Sequence, residues 1–135
     1  MSTSIFVNLA VKDLQRSTAF YEALGYPRDE QFSNENAVCI VINDQIYVML
    51  LVERFFSTFT DKGIVDANTA TEAILALSAD SKHSVDVLLE KAMAAGGRPV
   101  KKTQDHGFMY AGSFQDPDGH QWEVFWMDTG AVAPQ

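Results

Sequence analysis

Apolar and polar positions alternate through "SIFVNLAV" near the start of the chain. Ile5, Val7, Leu9 and Val11 fall on one face, and Phe6, Asn8 and Ala10 on the other, which predicts a half-buried strand. The period then changes. Asp13 stands where an N-cap belongs, and "LQRSTAFYEALG" predicts a helix ending at Gly25. "NAVCIVIN" and "QIYVMLLVE" read as strands, and the Asn43-Asp44 pair between them suits a hairpin.

The same order recurs in the second half. "EAILALSA" predicts a strand, and Asp80 or Ser81 caps the helix "KHSVDVLLEKAMAAGG". Val85, Leu88, Leu89 and Ala92 recur there at helical spacing, and Gly96-Gly97 ends the run. "RPVKKTQ", "GFMYAGSFQ" and "HQWEVFWM" predict three further strands, with turns at Asp105-His106-Gly107 and Asp116-Pro117-Asp118-Gly119. A period of roughly 65 to 70 residues thus fits two βαβββ units. The units are placed at residues 4–53 and 72–128, within one domain over 1–135. The connector, 54–71, predicts a short helix plus loop, and its Phe55, Phe56 and Phe59 are core or interface residues, or a lid.

Each helix must bury its apolar stripe on one face of its sheet. On the first strand that face carries Ile5, Val7, Leu9 and Val11, and on "QIYVMLLVE" it carries Ile46, Val48, Leu50 and Val52. The opposite faces carry Phe6, Asn8 and Ala10, then Tyr47, Met49, Leu51 and Glu53, then Ile74, Ala76 and Ser78, and finally Gln121, Glu123 and Phe125. Trp122, Val124 and Trp126 take the helix side of the last strand.

Composition narrows the classes. Apolar residues make up 47% and charged residues 21%, which excludes a disordered chain. The formal charge of −8 leaves no basic stripe for nucleic acid or an anionic membrane surface. No apolar run reaches the length of a membrane span, and "MSTSIFVNL" lacks the marks of a signal peptide. A lone cysteine, Cys39, excludes an internal disulfide, and the expected location is the reducing cytoplasm.

"VKDLQRSTAFYEALG", followed near the far end by "DPDGHQWE", resembles the vicinal oxygen chelate superfamily of glyoxalases, bleomycin-resistance proteins and extradiol dioxygenases. The resemblance runs from Ile5 to about Met127. It implies an α+β fold of two βαβββ units, with mixed sheets curled into a cup and helices outside, and a homodimer. In metal-dependent members, four concave positions supply His or Gln, Glu, His and Glu to a divalent ion. Carried over by motif, those positions fall on Phe6, Met49, Ile74 and Glu123, so only Glu123 retains a ligand. Phe and Ile have no donor atom, and a thioether is a soft ligand. A one-residue shift meets Ile5, Val7, Val48, Leu50, Ala73 or Leu75, also without donors. No metal and no cofactor are therefore expected, a divalent metal being the alternative.

Glu123 carries three readings. It is a family remnant, hydrogen-bonded to a neighbour such as Asn8, Gln121 or Tyr110 or reaching solvent at the cup's mouth, or a lone carboxylate serving as general base or as partner for a cationic group, or a metal ligand. Asn8 is either satisfied locally or reads a ligand's polar group. Phe6, Tyr47, Met49, Leu51, Ile74 and Phe125 form an apolar lining suited to a small molecule, or else fill a collapsed core. With Asn8, Tyr110, Gln121 and Glu123 they make up the expected ligand-binding set, Glu123 being the sole catalytic candidate. His83, His106 and His120 are read as surface or turn residues, and Cys39 as a buried small apolar one. The favoured function is metal-independent binding of a small amphipathic molecule. The alternative is a glyoxalase- or dioxygenase-type enzyme, like lactoylglutathione lyase, using Glu123 as ligand or base.

Overall fold

The computed structural model of the protein describes residues 3–130. The chain divides into two compact units between Asp66 and Ala67. Each unit is a mixed sheet with helical elements, and the fold class is α+β, as expected.

The first unit runs β1 (Ile5–Val11), α1 (Leu14–Ala23), β2 (Arg28–Asp29), β3 (Ala37–Val41), β4 (Ile46–Val52) and α2 (Glu53–Phe56). Strand order is β1-β4-β3-β2, with β1 parallel to β4 and the other pairs antiparallel. The parallel pair requires a crossover, which α1 begins. Asp13 starts that helix: its Oδ1 accepts from the Arg16 amide at 3.0 Å, satisfying a donor the first turn leaves over. Gly25, at φ 106°, ends it. In the β3–β4 turn, Asn43 Oδ1 accepts from the amides of Gln45 and Ile46.

The register places Leu9, Leu50 and Val38 in one row, and Val48 beside Ile40. These residues, with Phe20 and Tyr21 of α1, form the buried core of this unit. Full burial of a side chain such as Leu50 or Phe20 contributes about 1.5–3 kcal/mol.

The second unit runs β5 (Ile74–Ser78), α3 (Lys82–Ala94), β6 (Arg98–Pro99), β7 (Gln104–Asp105), β8 (Met109–Gln115) and β9 (Gln121–Met127). Strand order is β5-β9-β8-β6, with β7 also pairing to β8. Ser81, rather than Asp80, is the N-cap of α3, its Oγ accepting from Ser84 N at 3.0 Å. Val85 and Ala92 of α3 are fully buried, as are Phe114 and Val124 of the sheet. Gly112 lets Leu89 of α3 approach β8 more closely than a Cβ would allow.

Two expectations are corrected here. "RPVKKTQ" is two dipeptide strands, β6 and β7, and not one. Pro99 has no N–H to give, and the Lys101 amide turns to the Ser113 hydroxyl at 3.3 Å, so the ladder is interrupted. Glu53 does not continue β4. The chain turns into α2 at that residue, and its carboxylate pairs with Lys12 at 3.3 Å.

Candidate functional site

Register, rather than proximity in sequence, sorts the expected site residues onto faces. In the first unit, Phe6 lies beside Tyr47, Asn8 beside Met49 and Ala10 beside Leu51. Across β3 these rows continue to Val41, Cys39 and Ala37. This is the face away from Leu9, Val48, Leu50 and Ile40, as the alternation predicts.

The face is graded. Ala10, Leu51 and Ala37 are buried, whereas Phe6 is 51% exposed. Phe6 and Tyr47 stack with ring centroids 4.6 Å apart and planes 11° from parallel. The Tyr47 hydroxyl donates to the Asp44 carbonyl at 2.9 Å, which fixes that ring. Asn8 is exposed, and its Nδ2 donates to the Phe6 carbonyl at 3.2 Å, the local satisfaction that was one of its two readings.

Cys39 is fully buried on this face, with Met49 on one side and Asp29 of β2 on the other. Burial pushes its thiol above the ordinary range, and the Asp29 carboxylate adds to the shift. Native protein at pH 8 is therefore expected to react with a thiol-disulfide reagent at least tenfold more slowly than urea-unfolded protein. Equal rates in the two states would contradict this placement.

In the second unit, the face opposite α3 holds three rows. Ile74 lies beside Gln121 and Gln115, Ala76 beside Glu123 and Ser113, and Ser78 beside Phe125 and Ala111. Ile74 is 52% exposed, while Gln121, Glu123 and Phe125 are half-buried. Among the described residues Glu123 has no hydrogen-bond or ion-pair partner, so neither Asn8 nor Gln121 nor Tyr110 satisfies it. Ser113 and Gln115 belong to this face and were not anticipated.

Tyr110 is corrected. It pairs with Trp126 on the helix side of the sheet, and its hydroxyl donates to Asp86 of α3 at 2.6 Å. Its phenol is pushed up chiefly by that hydrogen bond and then by burial. Lys82 sits 5.8 Å from the Tyr110 ring centroid and 5.7 Å from that of Trp126, while pairing with Asp105 at 3.1 Å. This cluster fastens α3 to the sheet and takes no part in the opposite face. His83 is exposed on α3, and His106 and His120 lie in turns.

The positions that the resemblance assigns to a metal hold one carboxylate, a thioether and two hydrocarbon side chains, and the Phe6 ring is committed to its stack on Tyr47. Such a donor set does not fit a hard or borderline divalent ion. No group of three or more His, Cys, Asp or Glu residues suited to a metal occurs among the described residues.

Two units, each running from a strand through a helix to the further strands of one mixed sheet, define a known class of proteins. The family model for the Glyoxalase/Bleomycin resistance protein/Dioxygenase superfamily matches residues 5–124, and the chain belongs to that family. The hypothetical protein SA1046 from S. aureus is similar at 28% identity, with 93% of this chain and 94% of that one covered and a TM-score of 0.79. A glyoxalase-related enzyme from Fulvimarina pelagi shares 23% identity, covering 93% and 88%, with a TM-score of 0.78. TnmS3, an antibiotic binding protein from Streptomyces sp. CB03234, shares 16%, covering 94% and 97%, with a TM-score of 0.66. The last two similarities show the fold alone. A comparison with curated proteins finds no match.

Proposed function

We propose that this protein binds a small amphipathic molecule on the sheet faces opposite α1 and α3 and does so without a metal centre. What supports this reading is the donor set: Phe6, Met49 and Ile74 stand at the positions the resemblance assigns to metal ligands. Apolar side chains with a few polar groups, as on the faces holding Phe6, Tyr47 and Met49 or Ile74, Glu123 and Phe125, suit such a ligand. That TnmS3 is described as an antibiotic binding protein shows that this fold can serve binding. Its ligand does not transfer at 16% identity.

An enzyme of the glyoxalase or dioxygenase type is the second reading, and a Glu123 with no partner among the described residues is the observation in its favour. Proton abstraction next to a carbonyl also requires a stabiliser for the developing oxyanion. Met49 and Ile74 supply none, which favours binding over turnover. The same proposal takes the protein to work as a homodimer in the reducing cytoplasm. Its one cysteine is buried, and no described helix is long and apolar enough to cross a membrane.

Calorimetric titration of chelator-treated protein with Ni, Co, Zn, Mn and Fe(II), beside a Glu123→Gln variant, tests the reading. The expected result is no stoichiometric binding in either protein. Tight one-to-one binding that the variant abolishes would overturn the proposal and put the metal-dependent enzyme first.

A further inference from the structure

We infer that the face of the second sheet opposite α3 contains a cation-recognition subsite centred on Glu123, matched to the ammonium group of an aryl-alkyl amine. The inference rests on the small-molecule reading above and gives that reading a ligand class.

The geometry begins with the neighbours of Glu123. Across the ladder it is flanked by Ala76 on β5 and Ser113 on β8, two of the smaller side chains available. Strands lie about 4.8 Å apart, so these short neighbours leave the carboxylate standing between two low positions. The larger residues lie along the strand, Gln121 two positions before and Phe125 two positions after. Side-chain size thus sets the acid between two short cross-strand neighbours, with an aromatic ring two residues along the strand.

Three other carboxylates of this unit that belong to its turns and to α3 are engaged. Asp86 accepts from Tyr110, Asp105 from Lys82 and Gly107, and Asp116 from the amides of Asp118 and His120. Glu123 accepts from no described residue. Arg98, a basic residue in register with this face, lies two strands away beside Gln115 and is held by Asn68. A half-buried carboxylate without a partner among the described residues is complementary to a donor carrying positive charge. The net charge of −8 raises the local concentration of cations and selects against anionic ligands.

Phe125 sets the second requirement. Alternate residues on one strand are spaced about 6.6–7 Å, which is the reach of an ammonium joined to an aromatic ring by a two-carbon link. With the nitrogen on Glu123, such a ring lies against Phe125, where stacking or edge contact adds affinity. An anionic ligand of the same length meets Phe125 but is repelled by Glu123.

Phenethylamine is the probe, with 2-phenylethanol as its neutral counterpart, each titrated into ¹⁵N-labelled protein and followed by amide shifts. The amine is expected to move the amides of Ala76, Ser113 and Glu123, and to bind about tenfold more tightly than the alcohol. Glu123→Gln should abolish that difference, Glu123→Asp should restore part of it, and Phe125→Leu should weaken both probes. Retained amide spectra in the variants show that the fold is intact. Equal affinity for amine and alcohol in the unaltered protein would overturn the cation subsite and leave the small-molecule reading standing. Tighter amine binding that Glu123→Gln leaves unchanged would also overturn it. A face that responds to neither probe would overturn the subsite and count against the broader reading as well.

Discussion

Phe114→Ala is expected to destabilise the protein by about 3–5 kcal/mol. Phe114 is fully buried, and its ring lies parallel to that of Trp122, with centroids 6.3 Å apart and planes 6° from parallel. Trp122 is itself only 3% exposed, and the two residues are cross-strand partners on the α3 side of β8 and β9. Truncation removes the transfer energy of the ring and leaves a cavity that the rigid ladder cannot close. Phe108, 46% exposed, provides the comparison, since Phe108→Ala should shift stability by less than about 0.5 kcal/mol. Urea melts of both variants decide the matter: the midpoint should fall for Phe114→Ala with little change of slope. A midpoint no lower than that of Phe108→Ala would mean that the Phe114–Trp122 stack is not the centre of this core.

The Trp122 side of that core was legible because strands alternate strictly, whereas Phe114 was not assigned. The face assignments of β1, β4 and β9 follow from counting by twos through "SIFVNLAV", "QIYVMLLVE" and "HQWEVFWM", and the register agrees residue by residue. Caps and stops were equally readable, since Asp13, Ser81, Gly25 and Gly96 each have a backbone reason to stand where they do. The failures have equally local causes. Nothing in "LLVERFF" marks the residue at which extended backbone becomes helical, so Glu53 was carried one position too far along the strand. Tyr110 lies in "MYAGSFQ", where small and polar residues hide the alternation.

The turn before β9 held the missing information about Tyr110. It sets Gln115 opposite Gln121, so odd-numbered residues of β8 share a face with odd-numbered residues of β9. Even-numbered Tyr110 therefore sits with Trp126, and Ser113 sits with Glu123. By the same count Ser113 was within reach of the sequence. The stacking of Phe6 on Tyr47 was not, because a ring's χ angles depend on its surroundings as well as on strand parity.

Gly119→Ala should cost about 2–4 kcal/mol, more than the same change at Gly25, Gly96 or Gly107, which have positive φ but open space around them. Gly119 has φ 93°, a conformation that L side chains rarely adopt. An added Cβ would also lie 2.7 Å from Asn68 Oδ1 and 2.8 Å from the Ala67 carbonyl carbon and the Asn68 amide. Two of these three atoms are backbone, so the segment around Ala67 and Asn68 must shift, and with it the bond from Arg98 to Asn68. Gly25→Ala separates the two contributions. Gly25 has φ 106° but open space around its missing side chain, so only the backbone cost of about 1 kcal/mol applies there. Denaturant melts of the two variants should differ by at least the contact contribution, and the Arg98 guanidinium resonance should move in Gly119→Ala alone. Equal losses would show that Ala67 and Asn68 do not rest on this turn. The consequence reaches the candidate site, because the turn fixes the register of β9 against β8. Asp116 accepts from the amides of Asp118 and His120, and the Gly119 amide donates to the Asp116 carbonyl at 2.9 Å. A slip of one residue there would carry Trp122 onto the face opposite α3 and Glu123 into the core. Glycine at position 119 is thus what allows the acid, and not the indole, to stand between Ala76 and Ser113.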